Sequence, residues 1–211
     1  MDTYKQTFKT WNKVAQLYQD KFMELDLYNS SYDFVCETIT QTNAKLLDVG
    51  CGPGNITKYL LSKRPDYIIR GIDIAPAMIK LAKENNPSAH FSVMDSRKVN
   101  ELTESYDGII CGFCLPYLST DDCIKFINDC YQLLNNNGLL YISFVEGDAA
   151  KSGFQTGGSG DSVYFYYHNK TLLAQLLLEC KFDLIKTDNV RYQKSPTSSE
   201  MHTIVFAKKG Y

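Results

Sequence analysis

No apolar run in this chain approaches the roughly 18 residues that a membrane-spanning helix needs. The opening residues, Met1-Asp2-Thr3-Tyr4-Lys5, lack the apolar core of a secretory signal. Neither sign of charge dominates. Lys and Arg number 22 against 24 Asp and Glu, a formal net charge of −2, which argues against a broad nucleic-acid-binding face. The sequence holds no internal repeat and no second CxxC or histidine pair to complete a zinc site around Cys111-Gly112-Phe113-Cys114. That CxxC also ends a strand and runs into Leu115-Pro116, whereas a redox pair opens a helix that stabilises its thiolate. The seven cysteines are odd in number and scattered, which fits free thiols in a reducing compartment. These absences predict a soluble cytoplasmic protein with no metal site, no membrane partner and no nucleic-acid partner. At 211 residues the chain is long enough for one domain with a large core.

Strand-like and helix-like segments alternate. Near-continuous apolar strands are predicted at Lys45–Val49, Tyr67–Asp73, His90–Met94, Tyr106–Cys111 and Leu139–Val145. Helical patterns at Ile56–Ser62, Pro76–Asn85 and Asp121–Leu134 lie between them. This order implies an α/β fold whose parallel sheet is covered on both faces, with right-handed crossovers. Pro76 suits a first helical turn. Ser119-Thr120-Asp121-Asp122 supplies a cap and first-turn acids, and Asn135-Asn136-Asn137-Gly138 offers a left-handed stop. Residues 8–40 carry helical periodicity and read as two helices broken near Asn29-Ser30-Ser31, a lid over one end of the sheet. Residues 147–160 hold five glycines and read as a mobile loop. An aromatic run, Tyr164-Phe165-Tyr166-Tyr167-His168, follows it, then a helix from Lys170 to Cys180 capped by Asn169. Phe182–Val190 and His202–Lys208 read as a closing hairpin, joined by a polar, turn-rich connection over residues 191–201.

The most telling segment is Leu46-Leu47-Asp48-Val49-Gly50-Cys51-Gly52-Pro53-Gly54-Asn55, a strand feeding a glycine turn and then a helix. Glycine takes φ > 0 and lets a ligand approach bare backbone. A dinucleotide turn reads GxGxxG. Here the spacing is GxGxG, with Asn55 where the third glycine of that pattern falls. The turn resembles motif I of the class I S-adenosylmethionine-dependent methyltransferases of small-molecule type. The resemblance extends through Gly71-Ile72-Asp73-Ile74-Ala75-Pro76-Ala77-Met78, Met94-Asp95-Ser96, Tyr106-Asp107-Gly108-Ile109-Ile110 and Leu133–Phe144. Ala75 departs from the usual Ser or Thr cap, and Phe113-Cys114-Leu115-Pro116-Tyr117-Leu118 stands where many relatives carry a histidine.

The resemblance implies a Rossmann-like, mostly parallel sheet of seven strands with the last antiparallel, and a single domain. Within it, residues 1–43 would form a helical cap and 44–145 the cofactor-binding core. Residues 146–168 would be a mobile, acceptor-side segment and 169–211 a C-terminal helix and hairpin. It implies S-adenosylmethionine as cofactor and S-adenosylhomocysteine as product. Gly50, Cys51, Gly52 and Gly54 would give the cofactor its backbone wall. Asp48 would orient the turn and the cofactor's amino group, or else simply bond within the turn. Asp73 would accept both ribose hydroxyls, or else cap the next helix. Ile74 and Met78 would pack on adenine, although Met78 fits a plain core position equally. Asp95, between Met94 and Ser96, would accept from the adenine amino group, or else be a solvated loop acid. Cys111 and Phe113 would line the methionine moiety, and Tyr18 would cover the cofactor or serve the core.

The implied reaction is methyl transfer to a small acceptor. His168 is the candidate base, with a surface or helix-capping role as its alternative, whereas His90 and His202 lie at strand starts and read as non-catalytic. Tyr28, Tyr117 and Tyr166 are candidate acceptor contacts. Two other functions compete: a nicotinamide oxidoreductase on a similar sheet, and a cofactor-binding module without turnover.

Overall fold

A computed structural model of the chain describes residues 3–157 and 160–210. Residues 1 and 2 of the expected leaderless start, and 158 and 159 of the expected loop, lie outside the described residues. The helices are α1 (Thr3–Lys13), α2 (Ala15–Phe22), α3 (Asn29–Thr38), α4 (Asn55–Lys63), α5 (Pro76–Asn85), α6 (Thr120–Leu133) and α7 (Lys170–Glu179). The strands are β1 (Lys45–Val49), β2 (Ile68–Asp73), β3 (His90–Val93), β4 (Tyr106–Cys111), β5 (Leu134–Val145), β6 (Gly153–Thr156), β7 (Ser162–Phe165), β8 (Phe182–Ser195) and β9 (Ser198–Lys209). Seven strands form one sheet in the order β3-β2-β1-β4-β5-β9-β8. The first five are parallel, and β9 runs antiparallel to both β5 and β8.

Alternation along the buried strands divides the core between two faces. Leu46, Ile110, Tyr141 and Phe206 pack with α3 and α4, while Leu47, Ile109, Ile142 and Val205 pack with α6 and α7. Local chemistry sets the boundaries. Gly54 takes φ +82 as it enters α4. Pro76 opens α5. The Ser119 hydroxyl accepts from Asp122 N at the start of α6, and Asn169 Oδ1 accepts from Leu172 N at the start of α7. Among the described residues, no helix is long and apolar enough to cross a membrane.

Four sequence expectations change. The N-terminal region forms three helices, not two. Asn29-Ser30-Ser31 is the first turn of α3, because Ser31 Oγ donates to Tyr28 O from a buried position, and the break falls over residues 23–28. Asn137 is left-handed at φ +62, yet it lies within β5. The strand begins early because Leu134 already pairs with Tyr106. The closing hairpin is also longer than expected. Tyr192 pairs with Glu200 and Ser195 with Ser198, so only Pro196 and Thr197 form the turn.

The fourth change concerns the glycine-rich segment, which forms a second, two-stranded sheet of β6 and β7. Thr10 Oγ1 donates to Ser162 O at 2.7 Å and Tyr164 N donates to Thr7 Oγ1 at 2.9 Å. Lys13 pairs with Asp161 at 2.9 Å. These bonds fasten the small sheet to α1.

Candidate active site

A cavity of about 330 Å³ opens along the carboxyl edge of the parallel strands, beside the switch point between β1 and β4 where open α/β sheets bind ligands. Its volume falls within the roughly 300–1,000 Å³ of small-molecule sites. One wall is the glycine turn. Gly50 and Cys51 both donate their N–H groups to Ile72 O, at 2.8 and 3.0 Å, which ties the turn to the end of β2. Gly50 and Gly52 are left-handed, at φ +67 and +53, and both line the cavity. A Cβ on Gly52 would project to within 3.6 Å of the Tyr18 ring, so the glycine leaves a cradle between turn and tyrosine.

Gly54 has a different task. A Cβ there would meet Asn86 Nδ2 at 2.4 Å, where that side chain donates to Gly54 O from the end of α5. It serves helix packing and does not line the cavity.

The carboxylates separate by environment. Asp73 Oδ1 accepts from Ala75 N at 2.8 Å and Oδ2 from Gly52 N at 3.0 Å, which leaves lone pairs for a ligand in the cavity it lines. Burial raises its pKa against those two bonds. Asp48 sits behind the turn at 1 % exposure and outside the cavity lining. Its Oδ2 accepts from Thr57 Oγ1 at 2.7 Å, while its Oδ1 is buried without a partner. Burial pushes this carboxyl up to about 7; the Thr57 bond opposes the shift and Asp73 adds to it. Asp95 is also outside the lining. It caps the 3-10 turn at Ser96–Glu101 and takes the Arg97 guanidinium on both oxygens. Burial raises its pKa, but the Arg97 bonds prevail and hold it low. Its neighbours Met94 and Ser96 do face the cavity, as do Cys51, Ile74, Met78 and Phe113. Cys111 is fully buried beneath the lining.

The lid supplies aromatic rings. Tyr18 lies edge-on to Trp11 at 5.5 Å, and Trp11 meets Tyr117 at 5.3 Å. Burial lifts the Tyr18 phenol to about 12, with the Asp73 and Asp48 charges adding to the effect. Asn12 Oδ1 accepts from Ala77 N, docking α1 on the start of α5. Trp11 reads in sequence as one apolar position of a helix, and its place in the cavity wall was not visible there.

Two expected acceptor-side residues lie elsewhere. His168 is buried away from the cavity, its Nε2 bonded to Leu115 O at 2.8 Å and 3.7 Å from Cys123 Sγ. Burial lowers its pKa against that bond. A ring nitrogen fixed on a structural carbonyl is not positioned as a base for a cavity ligand. Tyr166 turns away because Pro116 O takes its backbone N–H at 2.7 Å and its ring packs on Tyr164. Tyr28 and Tyr117 do line the cavity.

The histidine that reaches the cavity is His202, with Tyr192, Lys194 and Glu200. All four project from one face of the β8–β9 hairpin, at i, i+2 spacing on each strand. That alternation was the available signal, hidden by reading residues 191–201 as a turn.

Residues 46–138 match the methyltransferase domain family. The chain is 36% identical over 112 residues to a putative methyltransferase of Invertebrate iridescent virus 6, covering 53% of this chain and 40% of that protein. It is 35% identical over 106 residues to a malonyl-[acyl-carrier protein] O-methyltransferase of Acetivibrio thermocellus, covering 49% and 36%. The chain thus spans well under half the length of these relatives. Its fold matches Burkholderia thailandensis 1,6-didemethyltoxoflavin-N1-methyltransferase, crystallised with 1,6-didemethyltoxoflavin and S-adenosylhomocysteine. The TM-score is 0.70 at 20% identity, covering 94% of this chain and 85% of that one.

Proposed function

We propose that this chain, whose residues 46–138 match the methyltransferase domain family, is a class I S-adenosylmethionine-dependent methyltransferase and that it methylates a small molecule held in the cavity. The observation that carries the reading is the shared wall of Gly50, Gly52 and Asp73. Left-handed glycines expose backbone there, and a carboxylate with free lone pairs stands beside them at the end of β2. When bound, S-adenosylmethionine supplies a methyl carbon on a sulfonium, which a nucleophile's lone pair attacks while the C–S electron pair stays on sulfur.

The chain's own residues bind and orient. Asp73 holds ribose hydroxyls, Ile74 and Met78 cover a flat base, and Met94 and Ser96 border it. Tyr18 closes the cradle over Gly52, and Phe113 walls the reacting end. These half-buried rings shield the cradle from water, so the reactants meet partly desolvated and aligned. Asp48 acts from behind the turn, through Thr57 and α4. We assign residues 44–145 to the cofactor core, 1–43 to the cap, 146–168 to the acceptor side and 169–211 to the closing helix and hairpin. Seven free thiols, four of them buried, fit a cytoplasmic setting.

Calorimetric titration with S-adenosylhomocysteine tests this reading. The wild type binds it, and Asp73→Ala weakens binding by about 1–3 kcal/mol. A well-folded wild type with no affinity for either S-adenosylmethionine or S-adenosylhomocysteine would sink it.

A further inference from the structure

Four strand spacings of about 4.8 Å separate β2 from β9, so roughly 19 Å of sheet edge lies between Asp73 and His202. Both residues line the same cavity. The two residues therefore mark opposite ends of it, and the chemistry of the far end differs from that of the glycine turn. Tyr28 Oη is bonded to His202 Nδ1 at 2.7 Å. The imidazole lies nearly parallel to the Tyr28 ring, at 17°, and to the Tyr192 ring, at 14°. Phe113 closes the cluster, 4.7 Å from His202 and 5.2 Å from Tyr28.

The charges around the imidazole bear on which ring nitrogen carries its proton. Glu200 Oε2 stands 3.9 Å from Nε2, on the opposite edge of the ring from Tyr28. That carboxylate favours the hydrogen on Nε2, which leaves Nδ1 as acceptor and Tyr28 Oη as donor. Lys194 faces the same ring but is paired with Glu200 at 2.6 Å, so it is not free to hold an anionic acceptor. Tyr192 on β8, Tyr141 on β5, Tyr18 on α2 and Tyr32 on α3 are further titratable groups near Tyr28 or His202. Burial lowers the His202 pKa, Glu200 opposes the shift and Lys194 adds to it. The imidazole is neutral at neutral pH, the form able to take a proton.

We propose that Tyr28 and His202 form the proton-accepting pair of the acceptor end, and that the acceptor is a planar ring compound carrying a weakly acidic hydroxyl of the phenol type. The reading rests on the methyl-transfer function above. Tyr28 Oη is the contact atom. The acceptor O–H bond breaks and its proton passes to Tyr28 Oη as the Tyr28 proton moves to His202 Nδ1. The imidazolium so formed faces Glu200, and its proton returns to water after the product leaves. The acceptor oxygen keeps the electron pair that attacks the methyl carbon. Tyr28 is the catalytic residue; His202 receives the proton through it, and Glu200 is a positioning residue.

The test uses the full chain, S-adenosylmethionine and two probe phenols: 4-methylphenol, which stays protonated at neutral pH, and 4-nitrophenol, which ionises readily. Methyl ethers are quantified by mass spectrometry, and S-adenosylhomocysteine affinity is measured for each variant as the check on folding. The wild type methylates both probes. His202→Gln lowers kcat for 4-methylphenol by about 10²–10⁴-fold, with KM and S-adenosylhomocysteine affinity nearly unchanged, and it affects 4-nitrophenol far less. Tyr28→Phe keeps the ring and reproduces the same split. Equal losses on both phenols, no loss on either, or a wild type that binds S-adenosylhomocysteine yet methylates neither phenol overturns the proposal. A wild type that binds no S-adenosylhomocysteine overturns the methyl-transfer reading and this one with it.

Discussion

The two ends of the cavity are built from different materials. The Asp73 end is made of backbone: left-handed Gly50 and Gly52, N–H groups shared with Ile72 O, and a carboxylate anchored on Gly52 N and Ala75 N. Its parts lie within 26 residues of one another, from Gly50 to Ala75. The His202 end is made of side chains: Tyr28 before α3, Phe113 after β4, and Tyr192 and His202 on the closing hairpin. A wall of backbone is specified by local spacing and tolerates little change. A wall of side chains is specified only by the finished fold and is free to vary with the acceptor.

Three substitutions break or sharpen that contrast. The largest effect is expected at Asp48, whose carboxyl is raised from an ordinary 3.8 to about 7 in the folded chain. Between those values the folded state holds a proton that the unfolded state has released, so stability falls as pH rises through this window. A shift of that size corresponds to at most about 4 kcal/mol. Asp48→Asn keeps an acceptor for Thr57 and removes the slope. Urea unfolding at about pH 4 and about pH 7 reads the difference, and an unchanged slope would place the burden on another group.

A smaller loss is expected at Gly50→Ala. The new Cβ would stand 2.9 Å from Cys114 Cβ at φ +67. The left-handed backbone alone costs about 1–2 kcal/mol. Both the urea midpoint and S-adenosylhomocysteine affinity should fall, because stability and donor binding share one backbone.

The smallest effect on turnover belongs to His168. His168→Gln removes a buried bond to Leu115 O at a cost of about 1–3 kcal/mol in stability. The ratio of 4-methylphenol to 4-nitrophenol methylation should not move. A change in that ratio would shift the proton acceptor away from His202 and erase the contrast.

The same contrast explains what was legible in the amino-acid order. The glycine turn could be read because positive φ and bare backbone are properties of a few adjacent residues. The parallel sheet could be read because buried strands and intervening helices impose two distinct periods. Asp95 was harder: its fate depends on Arg97, two residues on, whose guanidinium donates to both carboxylate oxygens. His168 follows an aromatic run and His202 opens an apolar strand, and neither context tells which of them reaches the cavity; only their partners separate them. One meets a main-chain carbonyl under the sheet edge, and the other meets a phenol from a lid helix boundary. Tyr192, Lys194, Glu200 and His202 share a face only because the hairpin turn shrinks to two residues.

The Tyr28–His202 bond joins residues 174 positions apart. Closing so long a loop costs chain entropy before any contact repays it, whereas the glycine turn and β2 close over short loops. Contact order therefore predicts that the glycine-turn end of the cavity assembles before the Tyr28–His202 end. In pulsed hydrogen exchange, the amides of Gly50 and Cys51 should gain protection before those of β9 around His202. A molecule built this way can carry changes in its late-closing end without disturbing the nucleus that folds first.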